Sequence, residues 1–507
     1  MEVGFSTEEY LKAQKKAIEE RLSKFSGGRL YLEFGGKLLD DFHASRCLPG
    51  YEANVKLELL KSLGRKVGVI YCVSAKQLVE GKVNGNWDMR YDLSTLKSLQ
   101  ILSENKLPVL GVVINRYEGE IEVDRFKKRL ERMGVKVYLR KEIKGYPANL
   151  KLILSKRGYG GDEYVETNKD LVVVWGAGPG SGKLSTCLGQ IYLDNKRGID
   201  SGYAKFETFP IWDLPLNHPV NLAYEAATAD LGDFNLIDNF HRQAYEKKAV
   251  NYNRDMDAFP LIKEMFAKMT LSNNFSRSYK SPTDMGVNCM AEGIVNDKVV
   301  RLGSKKDIVL YWYRYGEEYK KGLVDKKVLD KMKEIMLKAG VDSQYLSTVV
   351  EARRVRQEMI KKGLGERGIS CAACVELPTG KLVYGKNSEL LHAEAAVVLN
   401  CIKELSGIAD EYKLISKSVI KQIGAFKKII GDKSNSLDLS ETLLALAVSS
   451  ENNLKVSRAI KSLQKLKGCY IHTTHKPSES DCKIFRKLGM WLTTDGMVEK
   501  TKNPDLN

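Results

Sequence analysis

The segment of clearest chemical meaning is the glycine-rich run between Gly176 and Lys183, which follows the apolar stretch LVVVW and precedes a stretch of helical spacing. Glycine permits the backbone angles that turn successive amide N–H groups toward one point, and a helix N-terminus adds partial positive charge there. Lys183 adds a full positive charge. A strand, a glycine loop and a helix in this order predict a phosphate site. Its predicted contact residues are Gly178, Gly180, Ser181, Gly182, Lys183 and Ser185.

The loop departs from the common phosphate-loop pattern at two positions. Its first glycine is replaced by Ala177, and Leu184 occupies the place where a serine or threonine hydroxyl binds magnesium. Losing that hydroxyl removes the standard metal ligand but leaves the amides that hold an anion. We therefore predict phosphate binding rather than ATP hydrolysis of the usual kind. The alternative is a glycine-rich turn that only packs tightly.

Polar clusters downstream of the loop carry the residue types that phosphoryl transfer uses. Oxygen ligands hold magnesium, arginine neutralises phosphate oxygens, and an acid orients the nucleophile. Lys183, together with the amides of the loop, is predicted to hold the anion, and Arg254 is predicted to neutralise the developing charge. Asp255 or Asp284 is predicted to be the base or the ligand of magnesium, the candidate cofactor. Further candidates are Glu207, Glu225, Asp230, His241, Asn251, Asn253, Lys280, Thr283 and Asn288. Each cluster is equally typical of helix caps and turns.

Three groups of residues could hold another metal, and each is incomplete. Cys371 and Cys374 form a single C-x-x-C in an apolar, strand-like run, where alternating side chains favour burial over zinc binding. His392 and Glu394 match the H-x-E of zinc deaminases, but no P-C-x-x-C follows. A third group, again in a strand-like run, consists of Cys469, His472 and His475. We predict no metal site from these residues.

The composition is that of a globular protein with several domains. Of 507 residues, 43% are hydrophobic and 29% are charged, and the length corresponds to roughly three domains. Nine scattered cysteines indicate reduced thiols rather than a disulfide framework. No apolar run approaches the roughly twenty residues that span a bilayer, and the N-terminus lacks the apolar segment of a secretory signal. We expect a cytoplasmic protein without membrane contact.

Short apolar runs alternate with amphipathic stretches along the first part of the chain, which predicts an α/β fold with mainly parallel sheets and flanking helices. The runs are LYLEF, VGVIYCV, VLGVVINR and VKVYL, at 30–34, 67–73, 109–116 and 135–139. A hairpin is predicted where ISCAACVEL and KLVYG flank Pro378-Thr379-Gly380. The predicted domains are an N-terminal α/β domain at 1–168, an α/β domain with the glycine loop at 169–316, a helical connector at 317–367 and a C-terminal α/β/α domain at 368–507.

Seven segments, in one order, resemble the bacterial family catalogued as domain of unknown function 1846. They are LYLEFGGKLLDDFHASRCLPGY, GPGSGKLSTCLGQIY, KFETFP, YEAAT, NYNRD, SPTDMGVN and ELPTGKLVYGKNS, and they span nearly the whole chain. The family's own loop also reads GPGSGKL, so Leu184 is typical of it. The resemblance implies a C-terminal domain of cytidine-deaminase-like α/β/α form. It places Cys371, Cys374 and His392 where members often carry other residues, which counts against a shared metal site, and it matches His472 to a family histidine.

Two functional hypotheses follow from these residues. The formal charge of +17, from 81 basic and 64 acidic side chains, favours anionic partners. The first hypothesis is a phosphate- or nucleotide-binding enzyme, a phosphotransferase or phosphohydrolase acting on a phosphorylated small molecule. The second is a non-catalytic protein that docks RNA, a ribosome or a phosphorylated partner. Basic residues are spread through lysine-rich helices, which makes nucleic acid the less favoured partner. We also expect a homo-oligomer.

Overall fold

The computed structural model describes residues 2–25, 27–80, 83–84, 89–431, 434–451 and 453–496. The chain divides into two compact units, Glu2–Ser304 and Lys305–Asn507. They are called here the N-terminal and the C-terminal unit, and each is described by itself.

The N-terminal unit is an α/β structure. Its strands are β1 (Arg29–Phe34), β2 (Val67–Ser74), β3 (Val83–Asn84), β4 (Met89–Arg90), β5 (Val109–Asn115), β6 (Val137–Arg140), β7 (Leu171–Gly176), β8 (Ser201–Phe206), β9 (Asn235–Ile237) and β10 (Val250–Tyr252). Its helices are α1 (Thr7–Ser23), α2 (Phe42–Cys47), α3 (Val55–Ser62), α4 (Ala75–Val79), α5 (Tyr91–Glu104), α6 (Ile121–Arg132), α7 (Leu150–Ile153), α8 (Lys183–Lys196), α9 (Pro219–Ala227), α10 (Asn239–Tyr245), α11 (Asn253–Met269) and α12 (Pro282–Met285). Helix α13 (Asp297–Lys320) contains the division between the units.

One six-stranded sheet organises the N-terminal unit, in the order β6-β5-β2-β7-β1-β8. All of its neighbouring strands pair in parallel. Every residue of β1, β2, β7 and β8 is buried, as expected of a parallel sheet that helices cover on both faces. The predicted α/β class with a parallel sheet and flanking helices is therefore confirmed.

The C-terminal unit contains a smaller, mixed sheet. Its strands are β11 (Ala372–Glu376), β12 (Leu382–Lys386), β13 (Tyr470–Thr473) and β14 (Trp491–Thr494). Its helices are α14 (Lys326–Ala339), α15 (Ser347–Lys361), α16 (Ala393–Ser406), α17 (Lys417–Ile429), α18 (Leu439–Ser449), α19 (Leu454–Lys461) and α20 (Glu479–Lys487). The strand order is β12-β11-β13-β14, with β11 antiparallel to both neighbours and β13 parallel to β14.

Helices cover both faces of this smaller sheet. Ala372 of β11 packs with Val355 and Met359 of α15, whereas the adjacent Ala373 packs with Val397 of α16. Successive side chains of a strand point to opposite faces, so α15 and α16 lie on opposite sides. The predicted hairpin is present, since β11 and β12 pair antiparallel across the turn that contains Gly380.

The structure divides the chain differently from the four predicted domains. Strands on both sides of residue 168 share one sheet, because β7 pairs with both β2 and β1. The predicted connector at 317–367 is helical, but α15 belongs to the core of the C-terminal unit. Within the described ranges, every helix is too short or too polar to cross a membrane.

A buried ion pair holds the amino end of β1 to α8. Arg29 donates to Asp194 Oδ1 at 2.8 Å, and the Tyr31 hydroxyl donates to Asp194 Oδ2 at 2.8 Å. The Asp194 side chain is fully buried. Removing one partner of such a pair leaves the other charge buried and uncompensated.

We therefore expect Asp194→Ala to destabilise the protein by about 3 to 5 kcal/mol, seen as a clearly lower midpoint of thermal unfolding. The matched control is Glu264→Ala, which removes the exposed α11 pair between Glu264 and Lys268. That pair contributes about 1 kcal/mol or less, so the control should melt close to the unmodified protein. Equal melting of both variants would show that the buried pair does not stabilise the sheet.

Candidate functional site

The glycine loop joins β7 to α8 at the carboxyl end of the large sheet. Gly180 and Gly182 have φ angles of 74° and 87°, in the left-handed region that only glycine adopts without strain. A Cβ on Gly182 would also lie 2.5 Å from Asn115 Nδ2. The conformation therefore requires glycine at this position, on grounds of both angle and space.

The loop presents a row of main-chain donors without partners among the described residues. They are the N–H groups of Gly180, Gly182, Lys183, Leu184 and Ser185. By contrast, the Ser181 N–H makes a long bond of 3.4 Å to the Gly178 carbonyl, and the Thr186 N–H closes the first helical bond to Gly182 at 2.9 Å. Pro179 and Gly180 are exposed, so solvent reaches the row.

Side chains from two neighbouring strand ends fix the loop. Asn115, the last residue of β5, donates to the Ser181 carbonyl at 2.8 Å. Gln77, just after β2, donates to the Pro179 carbonyl at 3.0 Å. Lys183 turns its ammonium back toward the loop, at 3.4 Å from the Gly178 carbonyl. The Lys183 ammonium therefore lies beside the main-chain donors of the loop.

A second feature of the same unit is a pocket of about 510 Å³ that charged and apolar side chains line together. It collects residues from several of the predicted clusters: Glu207, His241, Asn251, Asp255, Thr283, Asp284 and Asn288. Arg21, Lys205, Tyr245 and Trp212 also line it. The three sequence segments KFETF, NYNRD and SPTDMGVN therefore converge in space.

Lys205 is the centre of a buried charge cluster on one side of this pocket. Its ammonium lies 3.0 Å from Glu207 Oε1 and donates hydrogen bonds to Asp255 Oδ2 and to the Tyr252 hydroxyl. The Tyr252 hydroxyl donates to Glu207 Oε1 at 2.9 Å. Burial opposes the charge of Lys205, but Asp255 and Glu207 raise the pKa of the ammonium above its ordinary value.

Glu207 is the group of this cluster with a pKa near neutrality. Burial raises the pKa of its carboxyl to about 7, with Asp255 acting in the same direction and Lys205 against it. A carboxyl that is half protonated near pH 7 can act as a general acid or base. The cluster thus combines a fixed positive charge with a titrating carboxyl.

A second cluster that lines the pocket surrounds Asp284. The Tyr245 hydroxyl donates to Asp284 Oδ2 at 2.9 Å, and the Lys280 amide donates to the same oxygen at 2.8 Å. His241 Nδ1 lies 3.7 Å from Asp284 Oδ1. Arg21 donates to the carbonyl of Asp284 at 2.9 Å, so it brings a positive charge into the pocket from α1.

The structure separates the remaining predicted residues from this pocket. Arg254 is half exposed and donates to the fully buried carboxylate of Asp233 at 2.6 Å, and it is not among the lining residues. Gly178 to Lys183 do not line the pocket either. Glu225 accepts from the Asn235 amide, which is a structural role.

Sequence reasoning passed over three residues that shape the pocket. Lys205 and Tyr252 belong to the segments KFETF and NYNRD, in which the acidic, amide and arginine residues were predicted to be functional. The two residues are far apart in the sequence, so their contact with each other is not visible there. Arg21 lies on a helix with ordinary amphipathic spacing, so no local signal marked it. Only the packing of α1 beside the loop at 284–286 reveals its role.

The segment Gly35-Gly36-Lys37 follows β1, the strand that lies between β7, which leads into the glycine loop, and β8, which carries Lys205. Gly36 has a φ of 66°, and the carbonyl of Lys37 accepts a hydrogen bond at 2.9 Å from the fully buried Lys56. A Cβ on Gly35 would lie 2.7 Å from Glu207 Cγ. The segment therefore forms a tight turn against the Lys205 cluster.

The candidate metal residues of the C-terminal unit lie in different surroundings. Cys374 and His472 are buried and face each other in the register of β11 and β13. His472 Nδ1 and the Thr493 hydroxyl form a hydrogen bond of 2.9 Å. Burial lowers the pKa of the His472 imidazole, which favours its neutral form and a structural role. Cys469 is buried. Glu394 is buried at the start of α16.

Comparison with known proteins identifies a family, and relatives that align with this chain over nearly their whole length. The profile described as "Domain of unknown function DUF1846, N-terminal" matches residues 3–340, and its C-terminal counterpart matches residues 345–503. The chain is 43% identical over 496 residues to a "UPF0371 protein" of Clostridium tetani (strain Massachusetts / E88), covering 98% of each chain. The identity and coverage are the same for a UPF0371 protein of Clostridium botulinum (strain Eklund 17B / Type B).

The raised pKa of Glu207 predicts a pH dependence of stability. The folded carboxyl binds a proton more tightly than the unfolded one, so its contribution is present at low pH and is lost as the pH rises through about 7. Glu207→Gln keeps the side chain neutral. We expect its melting temperature to rise by a few degrees relative to the unmodified protein between about pH 5 and about pH 8.

The control for this measurement is Glu264→Gln on the exposed face of α11. Its melting temperature should follow that of the unmodified protein across the same pH range. A constant difference between Glu207→Gln and the unmodified protein would contradict the assignment of the titrating group.

Proposed function

We propose that this chain, which belongs to the DUF1846 family, is a phosphate- or nucleotide-binding enzyme that transfers or hydrolyses a phosphoryl group of a small molecule. The observation that carries the proposal is the row of N–H groups without partners among the described residues, those of Gly180, Gly182, Lys183, Leu184 and Ser185, at the start of α8. Amides at a helix N-terminus, beside a lysine, bind phosphate groups by hydrogen bonds and by the helix dipole.

The position of the loop supports the same proposal. In open α/β sheets, ligands bind in the crevice outside the carboxyl ends of the strands. The loop leaves the carboxyl end of β7, and Lys205 and Glu207 lie at the carboxyl end of β8. Strand β1 separates the two, so these ends are two strand spacings, or about 10 Å, apart. A phosphorylated metabolite or nucleotide is long enough to reach from one to the other.

In this proposal the loop holds the phosphate and the Lys205 cluster acts on the rest of the molecule. Lys183 and the amides hold one phosphate group of the ligand, and the phosphoryl group that is transferred lies at the Lys205 cluster, where the ammonium neutralises its charge. Asp255 orients the attacking hydroxyl or water, and Lys205 fixes Asp255. Glu207, with its pKa of about 7, exchanges the proton. Arg254, committed to Asp233, supports α11 from outside the pocket.

Magnesium enters the proposal as the ion that accompanies the phosphates of the ligand. Mg²⁺ is commonly held by one or two carboxylates together with substrate phosphates. Among the described residues, no three His, Cys, Asp or Glu side chains converge at the glycine loop or in the pocket. Asp255 or Asp284 would therefore supply single ligands, as predicted from the sequence.

A non-catalytic role as a binding protein is the second candidate, favoured by the net charge of +17. A protein that docks RNA neutralises several phosphates, so its affinity falls steeply with salt. Uptake of one small nucleotide with weak salt dependence would favour the enzyme. A salt series with RNA and with ATP distinguishes the two.

Three finer features also stay proposals. The C-terminal sheet, with β11 antiparallel to its neighbours and helices on both faces, supports a cytidine-deaminase-like domain. The nine cysteines form no disulfide among the described residues, which supports a cytoplasmic location. A homo-oligomer is proposed on the sequence expectation alone, and sedimentation of the full chain tests it.

Lys183→Ala tests the proposed phosphate site. Isothermal titration calorimetry with ATP, ADP and inorganic phosphate should show binding to the unmodified chain and an affinity at least about tenfold lower in the variant, because a charge-assisted hydrogen bond is lost. Lys196→Ala, at the exposed end of the same helix, is the matched control and should bind as the unmodified chain does.

Asp255→Asn tests the proposed chemistry separately from binding. Release of phosphate from a panel of nucleotides and sugar phosphates should fall at least about a hundredfold, whereas calorimetric affinity changes little. Unchanged turnover would remove Asp255 from the reaction. Unchanged affinity in Lys183→Ala would show that the glycine loop is not the phosphate site.

A further inference from the structure

A group of polar side chains in the C-terminal unit is brought together by two helix starts. His392 is the N-cap of α16, Glu394 lies in its first turn, and Asp481 lies in the first turn of α20. One ligand atom from each of the three lies within 4.8 Å of the other two. Nothing in the proposed phosphate chemistry uses these residues.

The carboxylate of Glu394 is the unusual member of this group. The residue is fully buried, and neither of its oxygens has a hydrogen-bond partner among the described residues. His475 Nε2 lies 2.9 Å from Oε1, which is an ion-pair distance without hydrogen-bond alignment. Burying a carboxylate costs free energy unless it is paired or bound to a metal. The ion pair with His475 involves Oε1, so the Oε2 atom, which has no hydrogen-bond partner among the described residues, points to a missing ligand.

Asp481 repeats the pattern. It is 1% exposed, and its Oδ1 has no hydrogen-bond partner among the described residues. Its surroundings include the acidic side chains of Asp438 and Glu394 and the backbone amides of Leu439 and Ser440. No lysine or arginine of the described chain forms an ion pair with Glu394 or Asp481. Two buried carboxylates thus lie close together, with the histidines His392 and His475 beside them.

We propose that His392, Glu394 and Asp481 bind one divalent transition-metal ion. Donors that surround an ion tetrahedrally at about 2.1 Å are about 3.4 Å apart, so inward shifts of these side chains complete the site. A ligand set of one imidazole and two carboxylates suits Zn²⁺ or Mn²⁺ better than Mg²⁺ or Ca²⁺, which prefer oxygen ligands alone.

The surroundings provide the other parts of a metal site. His475 contacts the ligand Glu394, in the manner of the outer partners that orient metal ligands. His392 and His475 are partly exposed, so an ion can enter from solvent. Three protein ligands leave at least one coordination position open for water or a substrate atom. The proposal lies in the C-terminal unit and does not rest on the phosphate site.

The test is calorimetric titration of the chelator-treated full chain with Zn²⁺, Mn²⁺ and Mg²⁺. The expected result is one Zn²⁺ or Mn²⁺ ion per chain, with Mg²⁺ binding at least tenfold more weakly. Glu394→Gln and His392→Ala should each weaken Zn²⁺ binding at least tenfold. The matched control is Glu404→Gln, an exposed carboxylate on the same helix, which should bind as the unmodified chain does.

Circular dichroism of each variant checks that it is folded, and thermal unfolding of the unmodified chain gives a result that needs no variant. Zn²⁺ should raise its melting temperature, because an ion that binds only the folded state stabilises it. The absence of both Zn²⁺ and Mn²⁺ binding by the unmodified chain would overturn the proposal. Equal affinity in folded Glu394→Gln, or equal affinity for Mg²⁺, would overturn it as well.

Discussion

Parallel pairing of the six-stranded sheet is the constraint on which the N-terminal unit depends. Parallel strands need crossover connections, and the helices in these connections cover both faces. The strands β1, β2, β7 and β8 are buried along their whole length, so little room remains for charge within the sheet. Polar groups must lie at the strand ends, where the chain turns toward solvent.

The two ends of the sheet use charge in different ways. At the amino end, Arg29 and Asp194 neutralise each other in a closed network with tyrosine hydroxyls, which fixes α8 on β1. At the carboxyl end, the loop after β7 leaves main-chain donors open. Lys205, Glu207 and Asp255 combine both properties. They form ion pairs with each other, and they also line a pocket. A closed charge network and open main-chain donors thus lie at opposite ends of the same sheet.

The C-terminal unit places its polar residues by another route. Its sheet is small and mixed, and the group around Glu394 is positioned by the starts of α16 and α20 rather than by strand ends. A helix start favours a nearby carboxylate through its dipole, which explains how two acids tolerate burial in the same place. It does not supply partners for the oxygens of Glu394, because neither oxygen accepts a hydrogen bond from the described residues.

The sequence by itself determined the local elements and the family. The strands LYLEF, VGVIYCV and LVVVW, the glycine loop before α8 and the hairpin at Gly380 were all predictable, because apolar spacing and turn residues act between neighbours in the chain. Tertiary structure decided the rest. It inserted β7 between β2 and β1, which joined two predicted domains in one sheet. Packing of the helices and strands also pairs Arg254 with Asp233 and places Arg21 in the pocket. In the C-terminal unit it places Asp481 next to Glu394. Those contacts join residues far apart in the chain, and they arise only when helices and strands pack, so no spacing in the sequence encodes them.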